Sequence, residues 1–504
     1  MGVHSKKMKI KINLISAVLC QVITIGIGFI LPRLYIENFG SSVNGVLSTI
    51  KQIFTYLCLL EAGVGLATSQ ALLAPVAKDD KKSINSILAA TSQNYTRTGI
   101  IYSAAVATIA LVYGFAVDTG LPPQTVIALV FLNGLPSVVT FFVQGKYQIL
   151  LETDGRQYII TASQIALQIL SGFGKIAVLL LTDNLVLMQF SYCLFAVLQL
   201  LFVTVYARRQ YKWLDFGVKA NKAAISQKNS VLVHQISAMV FNNTDILLIS
   251  FICDFKTVSV YSIYNLFFTQ VETFISSLVK GINFALGQLF SVDREKFMRK
   301  YDLYESCYIA VNFMIYTLMW VFLLPIIRIY TGGISDADYI NPTLIFLFSL
   351  SKLTACVKLP SNQIVEYSGD FKKTTWHAFA EMTINIVVSV FGVMKWGICG
   401  ALAGTVAALL FRAVAVIYFS NKKALGRSMR STCTVIFANF AVFALVCFVF
   451  GTSRFLGMNF GRLVLHGILN SLWILPLYAL ANLLARPRIV GGIKSILKNR
   501  GEKA

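Results

Sequence analysis

The sequence predicts an all-α polytopic membrane protein with about 14 transmembrane helices. Of its 504 residues, 56% are hydrophobic and only 13% are charged, and the mean hydropathy is +0.70. Soluble globular domains contain about 25% charged residues, so this composition excludes a soluble protein. The apolar residues also form segments of about 20 residues, which is the length that a helix needs to cross a bilayer.

The composition excludes several other classes of function. Lys and Arg number 44 against 22 acids, which gives a net charge of +22. These bases lie between apolar segments rather than in a soluble basic patch, so we expect no nucleic-acid partner. The nine cysteines show no CxxC spacing, and no HExxH, Walker or GxGxxG motif is present. We therefore predict no catalytic residue, no metal and no cofactor.

The apolar segments, divided at polar or Pro/Gly clusters, give the predicted helices in order. The first segment follows a basic N-terminus but is too long for a signal-peptide core, so we interpret it as a helix. The predicted spans are about 12–36, 43–73, 92–116, 122–151, 157–181, 185–207, 229–253, 257–287, 305–331, 340–366, 374–395, 398–419, 432–452 and 459–485.

The distribution of Lys and Arg among the loops supports this number of spans. The two termini and the loops after even-numbered spans contain about 30 bases. The loops after odd-numbered spans contain only Lys256, Lys395 and Arg454. Because cytoplasmic loops are enriched in bases, both termini are predicted to be cytoplasmic.

A weak internal repeat predicts two lobes of six helices each. Residues 38–43 and 254–259 are similar at an offset of 216 positions, and Gly65 then aligns with Gly281. The predicted parts are residues 1–210 and 211–425, two pseudo-symmetric lobes around a central cavity, and residues 426–504, with two appended helices and a basic cytoplasmic tail. Parallel repeats with a binding site between them are typical of transporters.

Charged side chains inside the spans are the candidate site residues. An ionisable group near the bilayer centre costs from about 2.5 to more than 10 kcal/mol, so such groups usually face a cavity or a partner. The predicted substrate-binding bases are Arg33, Lys51, Lys280, Lys352 and Lys358, and the predicted coupling or pairing carboxylates are Glu61, Asp245 and Glu272. Lys175, Glu381 and Arg412 also lie within spans.

Each of these residues has an alternative interpretation. Arg33, Lys175, Lys280 and Arg412 are close enough to a helix end to reach the headgroups. Lys352 lies about 18 Å from the outer end of its span, too deep to do so easily. Lys358 precedes Pro360, where a kink would permit gating. Asp245 is a candidate for cation coupling, for pairing with a lysine, or for a contact between helices.

The deep bases exceed the number that the deep acids can neutralise. A cavity with a surplus of positive charge attracts an anion, and phosphate is the group that Lys and Arg bind best. The charge pattern therefore predicts a site for a phosphorylated substrate.

Four segments resemble a known family. They are FGSSVNG at 39–45, LLEAGVG at 59–65, NTDILLIS at 243–250 and VSVYS at 258–262. With the number of helices, they are similar to the bacterial polysaccharide flippases of the multidrug/oligosaccharidyl-lipid/polysaccharide exporter superfamily, which translocate O-antigen and capsule repeat units.

The resemblance implies a fold, a substrate and a location. It implies a two-lobed transporter of the bacterial cytoplasmic membrane with a cationic cavity that opens alternately to each side. The implied substrate is an undecaprenyl-pyrophosphate-linked oligosaccharide, moved from the cytoplasmic to the outer leaflet. By analogy, Arg33, Lys51, Asp245, Glu272 and Lys280 lie on or near the cavity, and the depth of Lys352 and Lys358 adds these two.

Transport of this substrate admits two sources of energy. A membrane potential that is negative inside favours outward movement of a pyrophosphate by up to about 2.3 kcal/mol per charge per 100 mV. Alternatively, Asp245 or Glu272 binds Na⁺ or H⁺ and couples the cycle to a gradient.

Other functions and partners remain open at the level of the sequence. A drug or cation antiporter of the same superfamily generally has 12 helices and a carboxylate-dominated site. A membrane-embedded polymerase or glycosyltransferase typically has a large external loop with catalytic residues, whereas the external loops here are short. A scaffold for other envelope proteins leaves the intramembrane charges unexplained. The basic tail from Arg486 to Lys503 is a candidate contact for anionic lipids and for polysaccharide-assembly enzymes.

Overall fold

The part of the chain that the structure describes consists of helices and the loops that join them. The computed structural model describes residues 3–225, 239 and 243–487, and these contain no β-strand. The α-helices are α1 Val3–Leu57, α2 Leu59–Ala77, α3 Lys81–Phe115, α4 Pro123–Val139, α5 Gly145–Thr153, α6 Gln157–Leu181, α7 Leu185–Gln210, α8 Asn243–Ile252, α9 Phe255–Val292, α10 Arg294–Tyr330, α11 Pro342–Ser368, α12 Phe371–Trp396, α13 Ile398–Tyr418, α14 Arg430–Val449 and α15 Phe460–Ala485.

These helices confirm the predicted fold class, a multi-pass all-α membrane protein. Among the described residues, 10 helices are long and apolar enough to cross a membrane. The first predicted span lies in α1, which kinks at Gly40, and the second begins after this kink and ends in α2. The eighth predicted span lies in α9, and most of the seventh, 229–253, lies outside the described residues.

Short polar residues define where several helices begin. A side-chain oxygen that accepts a backbone N–H of the first turn satisfies a donor that has no partner within the helix. Such caps precede α3, α7, α10 and α11, at Asp80, Asn184, Asp293 and Asn341 respectively. At the other end of α11, Gly369 adopts a left-handed conformation with φ of 69°, which favours glycine.

The chain forms two compact units. The first contains residues 1–250 and 254–259, and the second contains residues 251–253 and 260–504. The predicted boundaries at residues 210 and 425, the pseudo-symmetry of the lobes and the central cavity stay predictions.

The core of the first unit is built around α3 and the end of α4. Tyr95 and Tyr102 on α3 are buried. Both rings contact Phe141, with ring centroids 5.8 and 5.1 Å away. Phe141 lies in a π-helical turn, Thr140–Gln144, that joins α4 to α5. Helices α4 and α6 both pack against α7, and α6 also packs against α1, so these helices share one core.

The two segments of the internal repeat meet inside the first unit. The Asn44 amide donates to the Ser259 hydroxyl at 2.7 Å, and both side chains are buried. Gly45 permits this approach, because a Cβ at that position would lie 1.8 Å from the carbonyl oxygen of Phe255. The beginning of the second predicted span therefore packs directly on the beginning of α9.

In the second unit, small residues allow two helices to approach closely. A Cβ on Gly400 of α13 would lie 2.0 Å from the carbonyl carbon of Gly392 on α12. Gly404 of α13 faces Ser389 of α12 in the same way. Small residues at this spacing are a usual means of helix packing in membranes.

The last two helices pack on α10. The Tyr478 and Thr317 hydroxyls lie 2.6 Å apart, which joins α15 to α10. Asn439 on α14 and Asn482 on α15 exchange two amide hydrogen bonds of 3.1 and 3.0 Å. Helix α11 continues through Pro360, and a kink at this residue stays a prediction.

Candidate functional site

The predicted site residues divide between the two units. Arg33, Lys51, Glu61 and Asp245 belong to the first unit, whereas Glu272, Lys352 and Lys358 belong to the second. Lys280 lies on α9 of the second unit, but its side chain is outside the described part of the structure.

Lys51 is an exposed base on an otherwise well-packed part of α1. Residues 49, 50, 52 and 54 around it are buried, whereas Lys51 is exposed. It lies about 17 Å along the helix from the kink at Gly40, a depth near the middle of a bilayer core of about 30 Å. Among the described residues, no acid lies within ion-pair distance of its ammonium group.

Lys175 on α6 is a second base of the first unit without an acidic partner in the described residues. Its ammonium group lies 4.5 Å from the ring centroid of Tyr192 on α7, a cation–π contact. Lys51 is close enough to Lys175 for electrostatic repulsion between the two ammonium groups. The sequence indicates that Lys175 is inside the membrane, but not that its helix α6 packs against α1, which carries Lys51.

Arg33 has a carboxylate partner one turn away. Its Nε donates to Glu37 Oε1 at 2.7 Å, and both side chains are 38% exposed. Because Glu37 lies beyond the end of the predicted first span, the deep acids predicted from the sequence do not include it. The charge of Arg33 is therefore balanced locally.

Glu61 on α2 is bound by a hydroxyl rather than by a base. The Tyr95 hydroxyl donates to Glu61 Oε1 at 3.1 Å. The Tyr95 ring packs directly against Gly145, where a Cβ would lie only 2.7 Å from Tyr95 Cε2 and would clash with the ring. Glu61 is half-buried, and within the described residues it forms no ion pair.

Asp245 is almost fully buried, at 9% exposure, beside the second predicted span. Its neighbour Thr244 shares a hydrogen bond of 2.7 Å with the Tyr56 hydroxyl. The charge of Asp245 also acts on Tyr56. This position is consistent with the interpretation of Asp245 as part of a contact between helices.

Lys352 and Glu272 form an ion pair between α11 and α9. The Lys352 Nζ lies 2.6 Å from Glu272 Oε2, and the two side chains are 20% and 48% exposed. Lys352 is therefore not a free cation in this structure, in contrast to the surplus of unpaired bases that the sequence predicts.

Lys358 also has a carboxylate partner. Its Nζ lies 2.6 Å from Glu381 Oε1 on α12, and Arg412 Nε on α13 lies 3.6 Å from the other oxygen of the same carboxylate. All three side chains are less than 15% exposed. Two bases share one acid, so this triad keeps one positive charge that Glu381 does not balance.

A third group of charges lies where α10, α14 and the end of α15 meet. Glu305, only 1% exposed, pairs with Arg486 at 2.7 Å and with Arg427 at 3.3 Å. Asp302 pairs with the same two arginines. Burial alone lowers the pKa of Arg427, but Glu305 and Asp302 raise it above its ordinary value. The sequence assigns Arg486 to the basic tail and gives no sign of this cluster.

The chemical groups of the described residues favour an anion over a metal ion. Within the described ranges, no three His, Cys, Asp or Glu side chains are grouped to hold a metal ion. The first unit holds two ammonium groups on the packed helices α1 and α6, those of Lys51 and Lys175, with an aromatic ring beside the second. Such a pair presents positive charge in a low-dielectric environment, which favours a multiply charged anion.

Comparison with solved structures identifies the fold. The lipid II flippase MurJ in an inward closed conformation is similar with a TM-score of 0.67 and 14% identity, covering 92% of this chain and 97% of that chain. An inward-facing multidrug resistance MATE family transporter of the MOP superfamily gives a TM-score of 0.55 and 12% identity, covering 81% of this chain and 94% of that chain.

A MOP superfamily transporter from Pyrococcus furiosus, described as having a binding pocket of reverse polarity, gives a TM-score of 0.53 and 13% identity over 83% of this chain and 97% of that chain. No protein-family model matches the sequence, and no curated protein matches it significantly. At these identities the likeness concerns the fold alone. The chain has the fold of the MOP-superfamily transporters.

Proposed function

We propose that this protein is a flippase that moves an undecaprenyl-pyrophosphate-linked oligosaccharide from the cytoplasmic to the outer leaflet of the bacterial cytoplasmic membrane. The observation that carries the proposal is a pair of bases on two helices that pack against each other, Lys51 on α1 and Lys175 on α6, which have no acidic partner among the described residues. We assign the binding of the pyrophosphate to these two residues.

The chemistry of the headgroup supports this assignment. Two ammonium groups that repel one another inside a membrane are costly, and a bound diphosphate offsets that cost by accepting hydrogen bonds from both. The cation–π contact of Lys175 with Tyr192 holds one ammonium group in place without neutralising it. Both bases therefore remain available to an anion.

The paired lysines of the second unit have a different part in the proposal. The Lys352–Glu272 pair is considerably more exposed than the Lys358–Glu381 pair. A phosphate therefore displaces Glu272 from Lys352 more readily than it displaces Glu381 from the buried Lys358. We propose that Lys352 exchanges partners during transport, whereas Lys358, Glu381 and Arg412 hold α11, α12 and α13 together. Lys280 and Arg33 remain candidate contacts of the substrate.

Two sources of energy are compatible with the proposal. Outward movement of the pyrophosphate follows a membrane potential that is negative inside. Among the proposed carboxylates, Glu61 is the best candidate for proton or Na⁺ coupling, because within the described residues it forms no ion pair and accepts a hydrogen bond from the Tyr95 hydroxyl. Glu272 is bound to Lys352 instead.

Surface polysaccharide tests the proposal. We expect Lys51→Gln and Lys175→Gln each to reduce surface polysaccharide severely in a strain that depends on this protein, with unchanged protein in the membrane. Lys51→Arg and Lys175→Arg are matched controls that keep the charge, and they should retain most of the polysaccharide. Normal polysaccharide in the double variant Lys51→Gln/Lys175→Gln would reject the assigned site.

Drug or cation antiport is the alternative function. The observation that favours it is Glu61, a membrane-embedded carboxylate that forms no ion pair in the described residues. Antiport predicts that overexpression of the chain lowers the accumulation of cationic dyes, and that Glu61→Gln abolishes this effect. The flippase proposal predicts no change in dye accumulation.

A further inference from the structure

A second group of bases in the first unit lies at the ends of α5 and α7, away from the Lys51–Lys175 pair in the chain. Lys146 is at the beginning of α5, and Arg208 is in the last turn of α7. The charges of the two side chains repel each other. The proposed transport of an oligosaccharide gives neither residue a role.

Aromatic rings and a hydroxyl hold both bases in position. The Lys146 ammonium group donates to the Ser92 hydroxyl at 3.1 Å and lies 4.5 Å from the ring centroid of Phe216. Arg208 Nε donates to the Tyr147 hydroxyl at 3.1 Å. The Tyr147 ring lies 5.7 Å from both Lys146 and Arg208. The two cations therefore flank one buried tyrosine.

The acids near this cluster are bonded to other groups. Glu152 accepts from the Gln148 amide, and Asp154 accepts from Arg156 and from the Tyr211 hydroxyl. Asp215 accepts the backbone N–H of Gly217. In the part of the chain that the structure describes, neither Lys146 nor Arg208 forms an ion pair.

The loop after α7 completes the cluster. The Lys81 ammonium group lies 5.7 Å from the ring centroid of Trp213. The backbone carbonyl of Trp213 accepts a hydrogen bond from the Asn85 side-chain amide. Phe216 of the same loop packs on Tyr147 with centroids 5.6 Å apart. Aromatic rings beside bases at the ends of membrane helices are typical of the headgroup layer.

We propose that Lys146 and Arg208 form a binding site for the phosphate of an anionic phospholipid headgroup on the face of the membrane where α7 ends. Basic pockets between transmembrane helices on the cytoplasmic side are known to bind such headgroups. The phosphate contacts the ammonium and guanidinium groups on either side of the buried Tyr147 ring, and the partly exposed Phe216 ring faces the glycerol and upper acyl region.

The ligand is a lipid rather than free phosphate because of the Phe216 ring. Tyr147 is already buried, whereas Phe216 is partly exposed beside Lys146 and presents an apolar surface that a phospholipid covers and an inorganic ion leaves exposed to water. This site is independent of the proposed transport function, since it requires only phosphatidylglycerol or a similar anionic lipid of the bilayer.

Lipid binding by the purified full-length protein tests the proposal. We would compare the wild type with Lys146→Gln/Arg208→Gln and measure thermal stabilisation and bound lipid, by native mass spectrometry, with added phosphatidylglycerol, phosphatidylcholine or inorganic phosphate. Each base near an anionic lipid contributes about 1 kcal/mol to the binding free energy, so the loss of two bases lowers the affinity about 30-fold. We therefore expect the double variant to bind phosphatidylglycerol about 30-fold more weakly, and phosphatidylcholine equally.

A matched control removes the same charge from the same end of the unit. Arg209→Gln/Lys212→Gln changes two exposed neighbours and should bind phosphatidylglycerol as the wild type does. Lys146→Arg/Arg208→Lys, which keeps both charges, should also retain binding. Equal weakening in the control variant would overturn the proposal, as would stabilisation by inorganic phosphate equal to that by the lipid.

Discussion

At the scale of single residues, the intramembrane charges differ in what surrounds them more than in their depth. Lys51 and Lys352 are both deep in predicted spans, but only Lys352 has a carboxylate at 2.6 Å. Depth follows from position along one helix, so the sequence predicts it. The partner of Lys352 is 80 positions away on another helix. Whether two such residues meet depends on how the helices pack, and the sequence of a single span does not show this.

The buried cluster around Glu305 gives a prediction at this scale. Glu305→Gln leaves Arg427 and Arg486 with Asp302 as the remaining acid of the cluster, and one buried positive charge then lacks a partner. Breaking a buried pair in this way costs about 3–5 kcal/mol. We expect a clearly lower thermal unfolding midpoint of the detergent-solubilised protein.

Glu295→Gln on the same helix is the matched control. Glu295 pairs with Arg299, but their side chains are 85% and 70% exposed, and an exposed pair contributes at most about 1 kcal/mol. An equal loss of stability in the two variants would show that the ion pairs of Glu305 do not stabilise the packing of α14 and α15 on α10.

At the scale of helices, the hydrophobic pattern predicts the bounds well where the apolar segment and the helix begin and end together. The predicted span 157–181 coincides with α6, Gln157–Leu181. The α3 helix instead begins at Lys81, well before the predicted residue 92, because its first turns are polar but capped by Asp80. The π-helical turns Thr140–Gln144 and Phe419–Ala424 leave no mark in hydropathy, so the sequence does not predict them.

The contact between α12 and α13 depends on glycine. Gly400→Ala places a methyl group 2.0 Å from the carbonyl carbon of Gly392, so the two helices must move apart. Overpacking of this kind costs about 1–3 kcal/mol. We expect reduced thermal stability and a reduced yield of monodisperse protein.

Gly467→Ala is the control, since no atom lies within 4 Å of a Cβ at that position. Alanine favours a helix by about 1 kcal/mol over glycine, so this change should be neutral or stabilising. If Gly400→Ala were as stable as Gly467→Ala, the close approach of α12 and α13 would be refuted.

At the scale of the whole molecule, composition and the number of apolar segments are enough to predict a multi-pass helical protein, and the structural likeness to MOP-superfamily transporters agrees with that fold. The predicted boundary at residue 210 rests on a repeat of a few residues, and it stays a prediction. Residues 243–250 and 254–259 contact α1 within the first unit, and such contacts between distant parts of the chain are not visible in a short repeat.

The distribution of Lys and Arg predicts the orientation of the whole chain. With both termini cytoplasmic, green fluorescent protein fused at the C-terminus should fluoresce, and alkaline phosphatase fused there should be inactive. Phosphatase fused in the loop between α14 and α15, where Arg454 is the one base, should be active. An active phosphatase at the C-terminus would contradict the predicted orientation.

Binding of undecaprenyl pyrophosphate to the purified protein in nanodiscs tests the assigned site most directly. We expect the wild type and Lys51→Arg/Lys175→Arg to bind it with similar affinity, and Lys51→Gln/Lys175→Gln to bind at least about 150-fold more weakly, since each charged hydrogen bond contributes about 1.5–3 kcal/mol. Undiminished binding by Lys51→Gln/Lys175→Gln would reject Lys51 and Lys175 as the pyrophosphate site.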